Sequence, residues 1–132
     1  MKKIDITNQQ QQAYDLIAST FTSFFLTGKA GSGKTTFLRR VQNEIDKNFI
    51  VLAPTGVAAI LAGGQTIHSF FGFPLEALPI GSVGTINQER YNIIKNVDTI
   101  IIDEVSMVRC DIIDAIDATL RDCLHSSIPF GG

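Results

Sequence analysis

Apolar residues in this chain fall into short uninterrupted runs, separated by segments in which they recur at helical spacing. The runs at 24–27, 49–53 and 99–102 end at a glycine, a proline and an acidic residue, and they predict buried strands. The segments around these runs predict helices, at about 7–19, 35–47, 56–61, 66–71, 86–96 and 111–124. Strands alternating with helices predict an α/β fold, with a parallel sheet flanked by helices.

One segment, 72–85, follows neither pattern. Its turn-forming residues are Gly72, Pro74, Pro79, Gly81 and Gly84. Residues of these types interrupt helices and strands, so the segment predicts an irregular excursion from the fold. The chain of 132 residues contains no internal repeat and no linker, which favours a single domain.

Composition restricts the class of protein. Apolar residues make up 45% and charged residues 18% of the chain, an ordinary balance for a folded domain. No apolar stretch reaches the roughly 18 residues of a membrane span, and no signal peptide is recognisable. We therefore expect a cytoplasmic protein without a membrane partner, or a nuclear or mitochondrial one in a eukaryote. The net charge of −2 neither supports nor opposes binding to nucleic acid. Cys110 and Cys123 predict two buried thiols rather than a disulfide or a zinc site.

Residues 28–35, G-K-A-G-S-G-K-T, match the phosphate-loop pattern G-x-x-x-x-G-K-[ST] at every position. A predicted strand precedes them and a predicted helix follows, as this motif requires. Backbone N–H groups of such a loop surround an anion at the positive end of the helix. Lys34 can reach the β- and γ-phosphates of ATP, and the Thr35 hydroxyl can ligate Mg²⁺. The nucleotide-binding candidates in this motif are Gly28, Gly31, Ser32, Gly33, Lys34, Thr35 and the adjacent Thr36.

An acidic pair, Asp103 and Glu104, follows the apolar run at 99–102. Ligands of parallel sheets bind at the carboxyl ends of the strands, where this pair is expected. We assign Asp103 to holding Mg²⁺ and Glu104 to activating the water that attacks the γ-phosphate. Glu104 and Lys34 are therefore the catalytic candidates. An isolated Asp-Glu pair is most often a solvated strand end, and its combination with the phosphate loop makes it specific.

The segments between these two motifs resemble one helicase family. They read A-P-T-G-V-A-A at 53–59, G-G-Q-T-I-H-S-F-F-G at 63–72 and I-D-E-V-S-M-V at 102–108. Together they resemble the petite-integration-frequency DNA helicases, which are relatives of RecD within superfamily 1B. The resemblance covers nearly the whole chain and implies a phosphate-loop NTPase fold of the RecA-like motor type.

The same resemblance implies a function and partners. Members of the family use ATP and Mg²⁺ to translocate 5′→3′ along single-stranded DNA and to unwind duplexes, including forked DNA. Their roles are replication, repair, recombination and, in eukaryotes, telomere maintenance. Residues 1–132 would be a partial N-terminal motor domain that is cut after the helix following the acidic pair. The second motor domain and its arginine fingers would be missing, so we expect the fragment alone to be inactive.

Further site residues rest on this resemblance. Gln10 matches the glutamine that reads the adenine edge, although Thr7 and Gln10 also fit a helix capping box, and the neighbouring glutamines blur the register. Thr55 and Gly56 would contact a DNA phosphate. His68 and Ser69 would contact the strand nearby, although a lone histidine is commonly structural.

Two side-chain clusters have two interpretations each. Phe70, Phe71 and Phe73 could stack on bases, but at least two of them are expected in the core. Asp111, Asp114 and Asp117 could suggest a metal cluster, but a solvated helix face with an Asp117–Arg121 pair is favoured. In the resembling family, the excursion at 72–85 is the place of a small strand-separating wedge.

Other functional classes remain open from the sequence. Without arginines from a second domain, the chain could bind nucleotide without turnover. A different phosphate-loop enzyme, such as a small-molecule kinase, is a further alternative. It is disfavoured because the segment T-I-H-S-F would have no role in such an enzyme. The family geometry also predicts that the 24–27 and 99–102 strands stand about 9 to 10 Å apart, so that each has an unpaired edge.

Overall fold

The structure, a computed structural model, describes residues 8–28 and 33–132. The chain divides into two compact units, Met1–Lys47 and Asn48–Gly132. The first unit contains the flanks of the phosphate loop. The second contains the sheet and the acidic pair.

Two helices make up the regular structure described in the first unit, α1 (Asn8–Ser19) and α2 (Lys34–Glu44). Both were predicted, and α2 ends three residues earlier than expected. The Tyr14 hydroxyl donates to Glu44 Oε2 at 3.1 Å and so links the two helices. Lys47 Nζ donates to the carbonyl oxygens of Ile17 and Thr20, at 2.6 and 2.8 Å. A lysine at this position satisfies carbonyls that the end of a helix leaves without partners.

The strand predicted at 24–27 is wrong. Residues 20–28 form no helix or strand, and the side chains of Phe24 and Phe25 are 41% and 66% exposed. An apolar run becomes a strand only where a neighbouring strand accepts its ladder of hydrogen bonds. No described residue provides that ladder to 24–27.

The second unit is built on a three-stranded parallel sheet in the order β2-β1-β3. The strands are β1 (Phe49–Ala53), β2 (Gln65–Thr66) and β3 (Thr99–Ile102). The predicted strands at 49–53 and 99–102 are therefore confirmed, and so is the parallel sheet. Strand β2 is only two residues long, which is too short for a run of apolar residues to predict it. Within the described residues, the edge of β3 away from β1 has no strand partner.

Helices flank this sheet, as the pattern predicted. They are α3 (Gly56–Ala62), α4 (Ile67–Phe71), α5 (Gln88–Asn96) and α6 (Cys110–Leu124). Short 3-10 turns precede and follow α6, at Val105–Met107 and Pro129–Gly131. The apolar stripe of α6 packs against α4, α5 and β1 in one core, in which Leu52, Phe71 and Ile116 are fully buried.

All three aromatic residues around α4 belong to this core. Phe70, Phe71 and Phe73 are 1%, 0% and 7% exposed. The rings of Phe70 and Phe71 meet edge to face at 4.9 Å, and those of Phe71 and Phe73 stack at 5.4 Å. The expectation that at least two are core is confirmed, and the alternative of a base-stacking surface is wrong because the rings are not accessible.

The prediction for the two cysteines is half wrong. Cys123 is buried in the stripe of α6, and burial raises the pKa of its thiol. Cys110 is exposed, because it is the first residue of α6 and lies outside that stripe. Both thiols are free, so the absence of a disulfide between them is as expected.

The carboxylates of α6 line a solvated helix face. Asp117 accepts a hydrogen bond from Arg121 at 2.9 Å, as predicted, and Asp111 pairs with Arg109 at 3.0 Å. Nowhere in residues 8–28 and 33–132 do three His, Cys, Asp or Glu side chains group as metal ligands. The interpretation of Asp111, Asp114 and Asp117 as a metal-binding cluster is therefore not supported. No helix in the same ranges is long and apolar enough to cross a membrane.

The predicted excursion is irregular, and side chains of α6 hold it in place. Residues 72–87 contain no helix or strand. The backbone N–H of Leu78 donates to Asp111 Oδ2 at 2.9 Å, and that of Gly84 donates to Thr119 Oγ1 at 2.9 Å. Two points of the loop are thus fixed to one helix.

Acid should weaken the contact between the Leu78 N–H and the Asp111 carboxylate. Hydrogen bonds from Arg109 and from the backbone of Leu78 lower the pKa of Asp111 from 3.8 to about 2. A lowered folded-state pKa stabilises the protein above about pH 4, and this contribution is lost as the pH falls through about 2. The thermal unfolding midpoint of Asp111→Asn should lie below that of the wild type near neutral pH, and the gap should close towards pH 2.

Asp114→Asn is the matched control, since Asp114 is an exposed carboxylate on the same helix. It should shift the midpoint little at any pH. A gap between Asp111→Asn and wild type that is constant across this range would contradict the role of the Asp111 charge.

Candidate functional site

Both ends of the phosphate loop are described in the first unit. Residues 29–32, which include Gly31 and Ser32, lie outside the described residues. Gly33 has φ 85° and ψ 19°, a left-handed conformation that glycine adopts without strain, and it precedes the first turn of α2. The Phe37 N–H donates to the Gly33 carbonyl at 2.9 Å, so the helix begins directly from the loop. The positive end of the α2 dipole therefore lies at the end of the loop.

Lys34 bridges the two ends of this loop. Its Nζ donates to the carbonyl oxygen of Gly28, six residues earlier. The lysine cation is thus held at the Gly28 carbonyl. Thr35 and Thr36 are exposed on the first turn of α2, where their hydroxyls are accessible. Cation, hydroxyls and helix terminus together offer what an anionic ligand requires.

Gln10 lies beside the same loop. A Cβ added at Gly33 would come within 3.7 Å of Gln10 Nε2, so the amide of α1 reaches the residue that ends the loop. The competing capping box needs Thr7, which lies outside the described residues. The adenine-reading role of Gln10 and the capping box therefore both stay predictions.

The acidic pair ends β3 in the second unit. The Asp103 N–H donates to the Leu52 carbonyl at 2.8 Å and extends the ladder between β1 and β3 by one step. Glu104 then turns the chain with φ 54°, a left-handed conformation that costs a non-glycine residue about 1 to 3 kcal/mol. Its N–H donates to Asp103 Oδ1 at 3.0 Å. The pair thus stands at the carboxyl end of the sheet, where sequence analysis expected it.

The DNA-contact candidates emerge from the same edge of the sheet. Thr55 follows the end of β1, and its hydroxyl accepts from the Ala58 N–H at 3.2 Å, capping α3. Ala53 pairs with Thr66 and Leu52 with Ile102, so the ends of β1, β2 and β3 are side by side. Neighbouring strands lie about 4.8 Å apart. The start of α3 therefore lies between the start of α4 and the acidic pair along this edge.

Individual side chains at this edge differ in exposure. Thr55, Gly56 and Ser69 are exposed, which a contact with a nucleic-acid strand requires. His68 is half-buried, and its ring meets that of Phe73 edge to face at 6.4 Å. One face of the imidazole is thus occupied by packing, while part of the ring remains accessible.

Two residues near this edge were missed from the sequence. Thr66 caps α4, because its hydroxyl accepts from the Ser69 N–H at 3.2 Å. A threonine before a short apolar helix is the usual signal for such a cap. Arg90 donates to Gln65 Oε1 at 2.8 Å and lies 5.1 Å from the centre of the Phe70 ring. No local pattern could have found that contact, because it joins residues 25 positions apart.

Known proteins match this chain along most of its length. A family model described as PIF1-like helicase matches residues 5–132. The ATP-dependent DNA helicase Pif1 of Bdellovibrio bacteriovorus is 36% identical over 136 residues, which cover 98% of this chain and 30% of that protein. The human ATP-dependent DNA helicase PIF1 is 35% identical over 114 residues, which cover 83% of this chain and 18% of the human one. The chain thus spans less than a third of these relatives.

Solved structures agree with the sequence matches. Bacteroides sp Pif1 in complex with ADP-AlF4 superposes with a TM-score of 0.91 at 43% identity, over 98% of this chain and 30% of that one. The Bacteroides Pif1 structure bound to single-stranded DNA gives a TM-score of 0.90 at the same identity and the same coverage. The fold described above is therefore that of the Pif1 motor, a phosphate-loop NTPase fold. With sequence, family model and fold in agreement over nearly its whole length, the chain belongs to the PIF1-like helicase family.

Proposed function

We propose that this chain is part of the N-terminal, RecA-like motor domain of an ATP-dependent DNA helicase. The observation that carries the proposal is the shared carboxyl edge of the sheet, where the start of α3 lies between the acidic pair on one side and the start of α4 on the other. Residues that act on a nucleotide and residues that contact a DNA strand would then lie along one edge of the sheet. The whole activity would belong to a longer polypeptide, since the relatives are more than three times the length of this chain.

ATP is the proposed nucleotide, bound by the loop at 28–35. Lys34 would move from the Gly28 carbonyl to the β- and γ-phosphates. Gly28, Gly31, Ser32 and Gly33 would supply backbone N–H groups to the phosphates, together with the start of α2 at Thr35 and Thr36. Gln10 would hydrogen-bond the adenine edge.

Mg²⁺ fits the donor atoms available. The Thr35 hydroxyl and the Asp103 carboxylate are hard oxygen donors, which this ion prefers. The exposed Thr35 side chain leaves its hydroxyl accessible, and the Glu104 N–H engages only one of the two Asp103 oxygens. Few protein ligands are needed, because phosphate oxygens and waters complete the coordination of Mg²⁺ in such sites. When bound, the ion would neutralise charge that develops on the phosphates.

Glu104 is the proposed general base. It is exposed just beyond the carboxyl end of β3, and its left-handed backbone conformation turns the chain directly after Asp103. A carboxylate at this edge can orient and deprotonate the water that attacks the γ-phosphate. Backbone strain at a residue of this kind is a common feature of catalytic positions.

Single-stranded DNA, or the single strand of a fork, is the proposed partner. Thr55 and Gly56 would meet one phosphate at the start of α3, and His68 and Ser69 would meet the strand at the start of α4. These groups are neutral donors on short capped helices, so they would position the backbone without reading its sequence. The excursion at 72–85 would form the wedge that separates the strands. The Bacteroides Pif1 structures, with single-stranded DNA in one and ADP-AlF4 in another, support both partners for this chain.

Removing the loop cation should weaken nucleotide binding. Lys34→Ala should weaken the affinity for Mg·ADP by about 10- to 100-fold, because a charged hydrogen-bond donor to phosphate contributes about 1.5 to 3 kcal/mol. Calorimetric titration measures this change. Arg39→Ala, an exposed cation on the same helix, is the control and should bind as the wild type does. Equal affinities for Lys34→Ala and wild type would refute the site.

Turnover should depend on Glu104 but binding should not. In the full-length protein, Glu104→Gln keeps the shape of the side chain and removes the base, so DNA-stimulated ATP hydrolysis should fall about 10²- to 10⁴-fold. The affinity for Mg·ATP should stay within about threefold. Phosphate release and nucleotide titration measure the two quantities. Glu89→Gln on α5 serves as the control, and undiminished hydrolysis in Glu104→Gln would assign the base elsewhere.

The two histidines of the chain provide a matched test of the DNA edge. His68→Asn in the full-length protein should weaken binding of single-stranded DNA about 3- to 10-fold, the loss expected for one hydrogen bond. His125→Asn, at the exposed end of α6, should not change it. Fluorescence anisotropy with a labelled oligonucleotide measures both. Equal losses at the two positions would argue against a contact at α4.

A further inference from the structure

The excursion carries exposed apolar side chains on a well-defined turn. Ser82 donates from its N–H and from its hydroxyl to the Pro79 carbonyl, at 3.2 and 2.6 Å. Gly81 has φ 82°, the conformation that such a turn requires. Ile80 at the tip is fully exposed, and Leu75 at the base is 82% exposed. A large apolar side chain held on a closed turn is a projecting element rather than part of the core.

Side chains of α6 hold this turn from both sides. Before the turn, Asp111 accepts from the Leu78 N–H at 2.9 Å and also pairs with Arg109, whose Nη2 reaches the Glu76 carbonyl at 3.4 Å. After the turn, Thr119 accepts from the Gly84 N–H at 2.9 Å. The two anchoring residues on α6 are eight positions apart, about 12 Å along a helix.

Thr119 is the stronger sign of a dedicated anchor. Within the described residues it is the one polar side chain that is buried, at 0% exposure, and it lies in the apolar stripe of α6. Its hydroxyl donates to the Ala115 carbonyl at 2.6 Å and accepts from Gly84. A helix carbonyl already has its own partner, so the contribution particular to this hydroxyl is the Gly84 N–H. Without it that backbone donor would have no partner, which is costly away from water.

Gly84 is packed closely against α4 as well as against this anchor. An added Cβ at this position would collide with the carbonyl oxygen of Phe71, at the end of α4. The loop backbone is thus enclosed between α4 on one side and Thr119 on the other. The excursion therefore returns to the fold through one fixed point.

The anchoring helix is directly continuous with the acidic pair. Glu104 is followed by the 3-10 turn Val105–Met107, and α6 begins at Cys110. A displacement of the acidic pair would thus act on the first turn of α6, where Arg109 and Asp111 hold the excursion. One short path of covalent and hydrogen bonds joins the proposed hydrolysis site to the projecting turn.

We propose that Thr119 and the Arg109–Asp111 pair are positioning residues, which fix the turn at 79–82 on α6 so that it acts on duplex DNA as a rigid element. The proposal rests on the proposed helicase function and deepens it. These residues would touch neither nucleotide nor DNA. They would determine how much unwinding each hydrolysed ATP produces, while ATP turnover itself would not need them.

Hydrogen exchange in the full-length protein tests the anchor itself. Thr119→Val keeps the shape of the side chain and removes the hydroxyl, whereas Thr119→Ser keeps the hydroxyl. Exchange of amides at 82–86 should be about tenfold faster in Thr119→Val and close to wild type in Thr119→Ser. Exchange in β1 and α5 should not change in either. Equal protection at 82–86 in Thr119→Val and wild type would overturn the anchor.

The ratio of forked-duplex unwinding to DNA-stimulated ATP hydrolysis tests whether the anchoring residues serve unwinding. Thr119→Val should lower this ratio about tenfold, with hydrolysis within about twofold of wild type, and Thr119→Ser should restore it. Asp111→Ala, at the surface, tests the other anchor if Thr119→Val folds poorly, and Asp114→Ala is its control. An unchanged ratio in both anchor variants would overturn the positioning role. A wild-type protein that unwinds no duplex would instead overturn the proposed function, while exchange at 82–86 would still decide on the anchor.

Discussion

Parallel pairing of β1 with a strand on each side is the constraint on which the rest of the second unit depends. Because all three strands run the same way, their carboxyl ends meet at one edge. The acidic pair leaves the sheet there, and so do the starts of α3 and α4. Residues that are separated by tens of positions in the chain thus become neighbours without any long side chain having to reach across the fold.

Helix α6 combines packing with positioning. Its apolar stripe closes the core over the sheet, with Ile116 and Leu120 buried. The same stripe includes Thr119, whose hydroxyl fixes the excursion. A core made only of apolar side chains would pack equally well but would leave the Gly84 N–H without an acceptor. The polar residue therefore determines where an irregular loop lies, a role that apolar contacts, being non-directional, fill poorly.

Electrostatics at the proposed DNA edge differ from those of many nucleic-acid-binding domains. Acidic side chains outnumber basic ones in residues 48–132, and no lysine or arginine is among the DNA-contact candidates. Neutral hydroxyls, an imidazole and backbone N–H groups would hold the strand instead. Contacts of this kind release few counterions, so this part of the protein would add little to the salt dependence of DNA binding. Neutral donors would also suit a surface that must bind and release a strand repeatedly.

The sequence by itself determined the elements whose signals are local. Apolar periodicity located β1, β3 and the helices, and residue order alone identified the phosphate loop, the acidic pair and the family. The tertiary structure decided what depends on distant partners. It showed that 24–27 has no ladder partner in the described part of the chain, that two residues suffice for β2, and that Cys110 lies outside the core. It also revealed the anchors of the excursion, because hydrogen bonds between residues 33 and 35 positions apart leave no periodic trace in the sequence.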